Sequence, residues 1–374
     1  MRSIIHIFVA FGIVLSLAAS VGISPQARPT IAAAVPPVPQ TENVAVNLLI
    51  NGDMEMQPYT WYYPNHYVAP YWRRWWYYYS VIPEYDDTRG GPRPNCGECD
   101  GGTHAQVYFK WGPSYQAGIY QRVTGLTPCT PYELSAYARS HSLEGVLPHA
   151  RVGLDPQGTD MAPGSDGGIF SFPPYTAWSA EQTTLFVWEK LSVRAEPLGN
   201  SLTAILYAAP QPASNRTHYY DSYWDAAVLE PQAFPDNHLP APDSWTPSGF
   251  IYDVQTQKGG NSLTVSWKTR SAASTQVRYE IVPYQPVTPI TSTIIISLTY
   301  QVYLPFVSRD PVPSPHTFTR YTALDTTPVT DHQVIITDIQ AGDIVMLVPL
   351  SRRPTATTCT TETYYPLVIK FDGP

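Results

Sequence analysis

The stretch Gly118-Ile-Tyr-Gln-Arg-Val123 alternates apolar and polar residues, which is the pattern of a β-strand with one buried face. The same alternation recurs in Tyr132-Glu-Leu-Ser-Ala-Tyr-Ala138 and in Leu202-Thr-Ala-Ile-Leu-Tyr207. Farther along, Leu263-Thr-Val-Ser-Trp267 places two aliphatic side chains and a tryptophan on one face of an extended chain. Glycine, proline and aspartate separate these short runs, and such spacing is typical of a β-sandwich.

Tyrosine, tryptophan and proline are abundant in the 374 residues, with 27, 10 and 39 copies. Proline breaks helices and ends strands, whereas tyrosine and tryptophan favour strands. We therefore predict an all-β protein with many turns, built of two β-sandwich modules in series. Charged residues make up only 14% of the chain and the formal net charge is −8, so nucleic acid is not an expected partner.

The N-terminus has the pattern of an export signal. Arg2 supplies a positive charge, the run 4–19 is largely apolar, and small residues suited to cleavage lie at 18–20 and 32–34. We predict a signal peptide over 1–34 and a secreted or cell-surface chain, with no membrane span after cleavage. An uncleaved membrane anchor is the alternative, although the apolar run is short for a span.

Proline also marks the division of the chain. Five prolines lie within 231–248, a stretch with few apolar residues. This linker separates a first module over 47–230 from a second over 249–374, and its composition predicts limited contact between them. Residues 35–46 are expected to form an extended spacer after the signal, and a Pro- and Thr-rich insert at about 283–318 interrupts the second module.

Four cysteines fit an exported chain, in which disulfides persist. Cys96, Cys99, Cys129 and Cys359 allow three pairings, and the sequence does not choose among them. No second CxxC or histidine pair lies at metal-ligand spacing from Cys96-Gly-Glu-Cys99. A disulfide-tied loop or free thiols are therefore expected there rather than zinc.

The opening run Asn47-Leu-Leu-Ile-Asn-Gly-Asp-Met-Glu55 resembles the first strand of carbohydrate-binding modules with a galactose-binding-like jelly-roll fold. Further matches follow in the same order along the first module. They are Trp75, Gln116–Val123, Leu126–Ser135, Arg151–Pro156 and Tyr223–Leu229. Met54 and Ala226 depart from the family pattern, which has an aromatic residue and a second aspartate at these places. The resemblance implies a jelly roll that binds a polysaccharide or glycoconjugate.

The same resemblance implies a structural calcium ion between the first and last strands of the module. It nominates Glu55 and Asp225 as ligands, with Asp53 and Asn51 as weaker candidates. Calcium takes six to eight oxygen ligands from carboxylates and carbonyls. The alternative is that Glu55 and Asp225 cap or pair with backbone amides, and the departure at Ala226 counts against the metal.

Thirteen tyrosines and tryptophans lie between residues 59 and 85, more than a small sandwich is expected to bury. Alternation along an extended chain sends half of a run such as Trp75-Trp-Tyr-Tyr-Tyr79 outward. Flat exposed rings stack on the apolar faces of sugars, and exposed aromatic patches mark binding sites. The sequence therefore predicts an aromatic platform in this region.

The candidate platform residues are Trp72, Trp75, Trp76, Tyr77 and Tyr85, with a second cluster of Tyr108, Trp111 and Tyr115 lining the same cleft. Nearby polar side chains that suit sugar hydroxyls are Arg73, Arg74, Glu84, Asp86 and Asp87. The alternative is that these rings pack beneath a long loop and against the core.

The second module resembles the fibronectin type III-like domain that precedes the catalytic domain of purple acid phosphatases. The resemblance depends on Val265-Ser-Trp-Lys-Thr269, Thr275-Gln-Val-Arg-Tyr279 and His332-Gln-Val-Ile-Ile-Thr-Asp-Ile339. It implies an immunoglobulin-like sandwich with Trp267 in its core. We expect no metallophosphatase domain in this sequence, so the module is predicted to be a spacer or interaction module.

No nucleophile elbow, nucleotide-binding loop or zinc-protease motif occurs in the sequence. We therefore predict a secreted or cell-surface, non-catalytic glycan-binding protein. A structural or adhesive envelope protein that binds other proteins is the alternative. A hydrolase acting on polysaccharide is the second alternative, and it would need two carboxylates that face each other across a cleft.

Overall fold

A computed structural model of the chain describes residues 46–62, 66–88, 102–112, 114–142, 149–162, 167–210, 218–234, 237–283 and 318–371. The predicted signal peptide, nearly all of the 35–46 spacer, Cys96, Cys99 and nearly all of the 283–318 insert lie outside these ranges. Within them the chain forms β-strands and no α-helix, which confirms the all-β prediction. No helix among the described residues is long and apolar enough to cross a membrane.

The described part of the first module forms two large sheets and a hairpin. Its strands are β1 (Thr60–Tyr62), β2 (His66–Val68), β3 (Arg73–Tyr77), β4 (Glu84–Asp87), β5 (Gln106–Gly112), β6 (Ala117–Thr124), β7 (Tyr132–Ser142), β8 (Arg151–Asp155), β9 (Gly168–Ile169), β10 (Ala177–Trp178), β11 (Glu189–Ala195), β12 (Ser201–Ala208) and β13 (His218–Pro231). One sheet has the order β10-β8-β12-β6-β3-β9 and the other β11-β7-β13-β5-β4, while β1 and β2 pair only with each other. Within these sheets neighbouring strands run antiparallel, apart from the parallel β3–β9 pair.

Side chains that point between the two large sheets form the core of the first module. In the five-stranded sheet the cross-strand row Tyr85, Tyr108, Ser222 and Ser140 points inward, and all four residues are buried. The Tyr108 hydroxyl donates to Leu206 O of the facing sheet at 3.2 Å. Because its polar tip is paired, this large ring is buried without an unsatisfied donor.

The opening segment closes the sandwich against its last strand. The Asn47 side chain donates to Ala227 O (2.9 Å) and accepts from Leu229 N (3.0 Å). Leu48 N also donates to Leu229 O at 2.9 Å. Gly52 lies so near Ala227 O that an added Cβ would be 2.0 Å from that oxygen. The opening motif therefore joins the two ends of the module through contacts that need asparagine and glycine at these positions.

The second module is a separate β-sandwich. Its strands are β14 (Ile251–Gly259), β15 (Ser262–Val282), β16 (Arg320–Tyr321), β17 (Asp325–Ile336), β18 (Ile344–Pro354), β19 (Cys359–Thr363) and β20 (Leu367–Lys370). The first half of β15 pairs with β14 and β17, and its second half pairs with β16 and β18. Side chains from both halves share one core, in which Trp267 is buried as predicted. The fibronectin type III resemblance of this module stays a prediction.

The proline-rich linker packs against the second module. Phe234 and Leu239 join a hydrophobic cluster with residues of β18 and the segment before β16. The buried Gln276 side chain accepts from Leu239 N (2.8 Å) and donates to Asn237 O (3.0 Å). These bonds satisfy backbone groups that an extended proline-rich path leaves without strand partners.

A disulfide bond and an ion pair connect the two modules directly. Cys129, in the turn before β7, is bonded to Cys359 at the start of β19 across 230 residues of sequence. Arg352 Nη2 binds Glu196 Oε2 at 2.7 Å, and the same guanidinium lies over the Phe234 ring. The structure thus shows a Cys129–Cys359 bond, which the sequence left open, while Cys96 and Cys99 lie outside the described residues.

We expect the Cys129→Ser/Cys359→Ser double variant to be less stable than the wild type. A bond that closes a loop of 230 residues contributes about 5 kcal/mol in the chain-entropy account. Urea unfolding followed by tryptophan fluorescence should therefore show an earlier transition, divided into two steps that belong to the two modules. A single transition at the wild-type midpoint would show that the packed linker alone couples them.

A buried histidine makes the stability of the second module depend on pH. His332 stacks on Trp267 with 5.1 Å between ring centroids. Its Nε2 and Nδ1 lie 2.9 and 2.7 Å from the hydroxyls of Thr269 and Thr275. Burial lowers the pKa of His332 from 6.5 to about 4. As the pH falls, the histidine of the unfolded chain takes up a proton before that of the folded chain does. The contribution of His332 to the free energy of unfolding is therefore complete above pH 6.5 and is lost as the pH falls toward 4.

We predict that the His332→Gln variant depends less on pH than the wild type. The lowered pKa of His332 corresponds to a loss of about 3 kcal/mol in the free energy of unfolding between pH 6.5 and pH 4. The free energy of unfolding, measured in urea from neutral pH down to about pH 4, should fall less steeply in the variant. His66 in the first module has a pKa lowered to about 4 by burial, so part of the dependence remains. His149→Gln, at a surface pair with Glu181, is the control, and equal slopes in all three proteins would contradict the assignment.

Candidate functional site

Six of the eight rings predicted to form a binding platform are buried, so the prediction of a surface platform is wrong for them. They are Trp72, Trp75, Trp76, Tyr85, Tyr108 and Tyr115. Five of these pack in the core between the two sheets, and Trp75 packs in a second cluster on the other side of the six-stranded sheet. Tyr77 is half-buried, and Trp111 alone among the eight is largely exposed.

Trp75 does point outward from β3, yet its ring meets protein rather than solvent. It stacks on Tyr207 with 5.7 Å between centroids and 6° between planes, and it meets the edge of Phe172 at 5.1 Å. Ala162 and Trp178 belong to the same cluster. Described residues between β8 and β11 therefore cover the outer face of the six-stranded sheet. This agrees with the alternative prediction, in which the rings pack beneath a long loop.

The two arginines predicted to contact sugar have structural partners. Arg73 Nη1 lies 2.8 Å from both carboxylate oxygens of Asp160, and its Nη2 donates to Ala162 O at 2.6 Å. The buried Arg74 guanidinium lies over the Trp76 ring at 5.1 Å from its centroid. We therefore assign both side chains to the stability of the fold rather than to a binding surface.

The outer face of the five-stranded sheet brings aromatic and charged side chains together, and we call it the open face. Residues next to the inward row point to this side, because side chains alternate along each strand. One cross-strand row contains Glu84, Phe109, Asp221 and His141. The next row contains Asp86, Val107, Tyr223 and Arg139. A third row contains Tyr137 and Lys190.

A hydrogen-bonded carboxylate lies within the open face. The Tyr223 hydroxyl donates to Asp221 Oδ2 at 2.9 Å, and His141 Nδ1 lies 3.4 Å from the same oxygen. The His141 ring meets the edge of the Phe186 ring at 5.1 Å. The Phe186 carbonyl in turn accepts from Arg139 Nε at 2.9 Å. These contacts hold a carboxylate, an imidazole and a guanidinium in fixed positions beside aromatic rings.

Trp111 extends the aromatic part of the open face. It follows Phe109 by two residues in β5, so both rings point to the same side of the sheet. Its side chain is 66% exposed, the largest value among the tryptophans of the described ranges. Burial of apolar surface stabilises a protein by roughly 25 cal/mol per Å², and an exposed ring does not contribute this free energy. A ring that is exposed to this extent is therefore a candidate contact for a ligand.

Sequence reasoning missed most of the open face. Asp221, Tyr223, Arg139 and His141 are distant from the aromatic run at 59–85. The sequence does contain one signal for this face. In each of β7 and β13 two of these residues are two positions apart, with a small buried serine between them. That spacing predicts a shared face on each strand, whereas only strand pairing brings the two strands together.

Carboxylates predicted as calcium ligands lie around one tyrosine. Burial raises the pKa of the Tyr59 hydroxyl above its ordinary value, and the negative charges of Asp87, Asp225, Glu55 and Asp53 raise it further. Asp225 is completely buried. The first and last segments of the module therefore bring acidic side chains together, in the region where the family resemblance places its metal.

The predicted ligands also have protein hydrogen bonds. Glu55 Oε1 accepts from His104 N (2.7 Å), Asp225 Oδ1 accepts from Ala226 N (2.6 Å) and Asp53 Oδ1 accepts from Glu55 N (3.4 Å). These are amide bonds of the kind that the alternative interpretation requires. No group of three His, Cys, Asp or Glu side chains suited to a metal occurs in the part of the chain that the structure describes.

No protein-family model and no curated protein matches the chain. Among solved structures, the enzymatically active domain of bacteriophage CBA120 tailspike protein 4 is 9% identical over 50% of this chain and 21% of that chain, with a TM-score of 0.32. TmCBM61 in complex with β-1,4-galactotriose is 12% identical over 50% of this chain and all of that chain, with a TM-score of 0.30. The CBM22-1–CBM22-2 tandem domain of Paenibacillus barcinonensis Xyn10C is 11% identical over 80% and 85% of the two chains, with a TM-score of 0.26. These likenesses identify neither a family nor a ligand for this chain.

Proposed function

We propose that this protein is an exported, non-catalytic protein that binds a polysaccharide or glycoconjugate at the open face. The observation that carries the proposal is Trp111, a ring 66% exposed on a sheet face that also presents charged side chains. The outer face of the other sheet is covered by Phe172 and Trp178. A ligand that lies along a sheet of the first module would therefore lie on the open face.

The chemistry of the open face matches the two kinds of surface on a sugar. A pyranose ring has apolar C–H faces, on which Phe109 and Trp111 would stack, and hydroxyl groups at its rim. The exposed Glu84 and Asp86 would accept hydrogen bonds from those hydroxyls and Arg139 would donate to them. The buried Asp221 accepts from the Tyr223 hydroxyl and so positions that ring before a ligand binds.

Substitution of Trp111 by alanine tests the proposed site. We expect at least a tenfold loss of affinity for the soluble glycan that the wild type selects from a panel, which is about 1.4 kcal/mol. Isothermal titration calorimetry would measure it, with Tyr365→Ala as the control because that ring is 61% exposed in the second module. Wild-type affinity in the Trp111→Ala variant would contradict the site.

The same titrations address the remaining parts of the proposal. Failure of the wild type to bind any glycan of the panel would contradict glycan binding. Release of reducing sugar ends during incubation would contradict the non-catalytic part and favour the hydrolase alternative.

Export is supported by the N-terminal pattern and by the cross-module disulfide. The apolar run 4–19 follows Arg2, as in secretory signals. The Cys129–Cys359 bond fits an oxidising compartment, in which such bonds form and persist.

We also propose that calcium braces the first module near Glu55 and Asp225. The support is the effect of four carboxylates, those of Asp87, Asp225, Glu55 and Asp53, in raising the pKa of Tyr59, together with the burial of Asp225. A buried carboxylate beside like charges is stabilised by a cation. Backbone oxygens would have to supply most of the ligands, which calcium accepts readily.

Thermal unfolding with and without calcium tests this second proposal. Calcium at about 100 times its Kd should stabilise the fold by about 2.7 kcal/mol, so Tm should rise above its value in EDTA. The Asp225→Asn variant should lose this response, whereas Asp243→Asn, at an exposed linker position, should keep it. A wild-type Tm that is the same in calcium, magnesium and EDTA would contradict the metal.

A further inference from the structure

Four aromatic side chains meet at the β9 edge of the six-stranded sheet, which is not the sheet that carries the open face. Tyr77, Tyr78 and Tyr79 lie at the end of β3 and in the turn after it, and Phe170 follows β9. We call these four residues the edge patch. Tyr78, Tyr79 and Phe170 are 42%, 82% and 64% exposed. Several large rings grouped in water are characteristic of a binding surface.

The edge patch is held in place by the backbone beneath it. Tyr77 N donates to Gln116 O and Tyr78 N donates to Ile169 O, both at 2.9 Å. The Tyr78 ring lies directly against Gly168, where an added Cβ would be 2.4 Å from a ring carbon. Because the rings are already positioned, a ligand would not have to order them, and tyrosine has few torsions to immobilise.

The rings of the edge patch are tilted toward one another rather than coplanar. Tyr78 and Phe170 have centroids 4.4 Å apart and planes at 35°. The planes of Tyr79 and Phe170 are at 60°, and those of Tyr77 and Tyr79 at 57°. A flat polymer surface cannot contact all of these rings at once. A single sugar chain or a chain end can turn one unit onto each ring.

The segments that build the edge patch contain no formal charge. Residues 75–83 and 167–180 include no Asp, Glu, Lys, Arg or His. Three of the four rings are tyrosines, whose phenols add donors and acceptors at the rim, and Ser80 and Ser171 lie beside them in sequence. A matching ligand is uncharged, has an apolar face and carries hydroxyl groups. This differs from the open face, which presents the charged residues Glu84, Asp86 and Arg139.

We propose that the edge patch is a second carbohydrate site, which binds an uncharged oligosaccharide as a single chain. The site does not depend on the open face, because the two surfaces belong to different sheets. A chain with both sites would hold a branched or multi-chain glycan at two points, which raises the effective affinity without new contacts.

The Tyr79→Ala/Phe170→Ala double variant of the full chain tests this site. The probes are neutral soluble oligosaccharides of β-linked glucose and of β-linked galactose, with an oligogalacturonide as the charged comparison. We expect the variant to lose at least tenfold affinity for the neutral probe that the wild type binds. Its Tm should stay unchanged, because both rings are exposed, and Trp111→Ala should retain this binding step. Tyr365→Ala is the matched control for removing an exposed ring.

Three results would overturn the inference. Unchanged neutral-sugar binding in the double variant, with loss in Trp111→Ala, would reject the edge patch and leave the open face in place. Stronger binding of the charged probe than of the neutral probes at the edge patch would contradict its chemistry. Conversion of an oligomer to a monomer by the double variant, without an effect on sugar binding, would identify the edge patch as a protein interface. Loss of sugar binding only in Trp111→Ala would point to the open face, and loss only in the double variant would point to the edge patch.

Discussion

Burial of both faces of the six-stranded sheet is the constraint on which the rest of the first module depends. One face packs in the sandwich core, and the other packs beneath Phe172 and Trp178. The aromatic surplus of the chain is divided between the sandwich core and this second layer, where Trp75 stacks on Tyr207. Since aromatic rings stabilise a core when they are enclosed, the two sites that we propose lie beyond this layer, on the open face and at the β9 edge.

The junction between the modules is held by a few specific contacts. The linker residue Phe234 contacts both a hydrophobic cluster and the Arg352 guanidinium, which also binds Glu196 of the first module. The Cys129–Cys359 bond lies in the same junction. These contacts connect the two modules directly, in addition to the proline-rich linker.

Local pattern predicted the strands well and the burial of individual rings poorly. The alternating runs that begin at Gly118, Tyr132 and Leu202 lie within β6, β7 and β12, because alternation of apolar and polar residues is a property of neighbouring residues. The expectation of one buried face is wrong for β12, which is buried along its whole length. For Trp75 and Trp76 the same rule correctly sends the rings to opposite sides of β3. It carries no information about a loop about 100 residues away that covers one of them.

The sequence by itself determined the all-β class, the two modules and the presence of an aromatic surplus, since composition and alternation are local quantities. Only the tertiary structure decided which rings are enclosed, which cysteines are bonded and which polar residues share a surface. Asp221 and His141 lie far apart along the chain and become neighbours through the pairing of β13 with β7. Such contacts depend on strand register and loop packing, which arise when distant segments bury apolar area together.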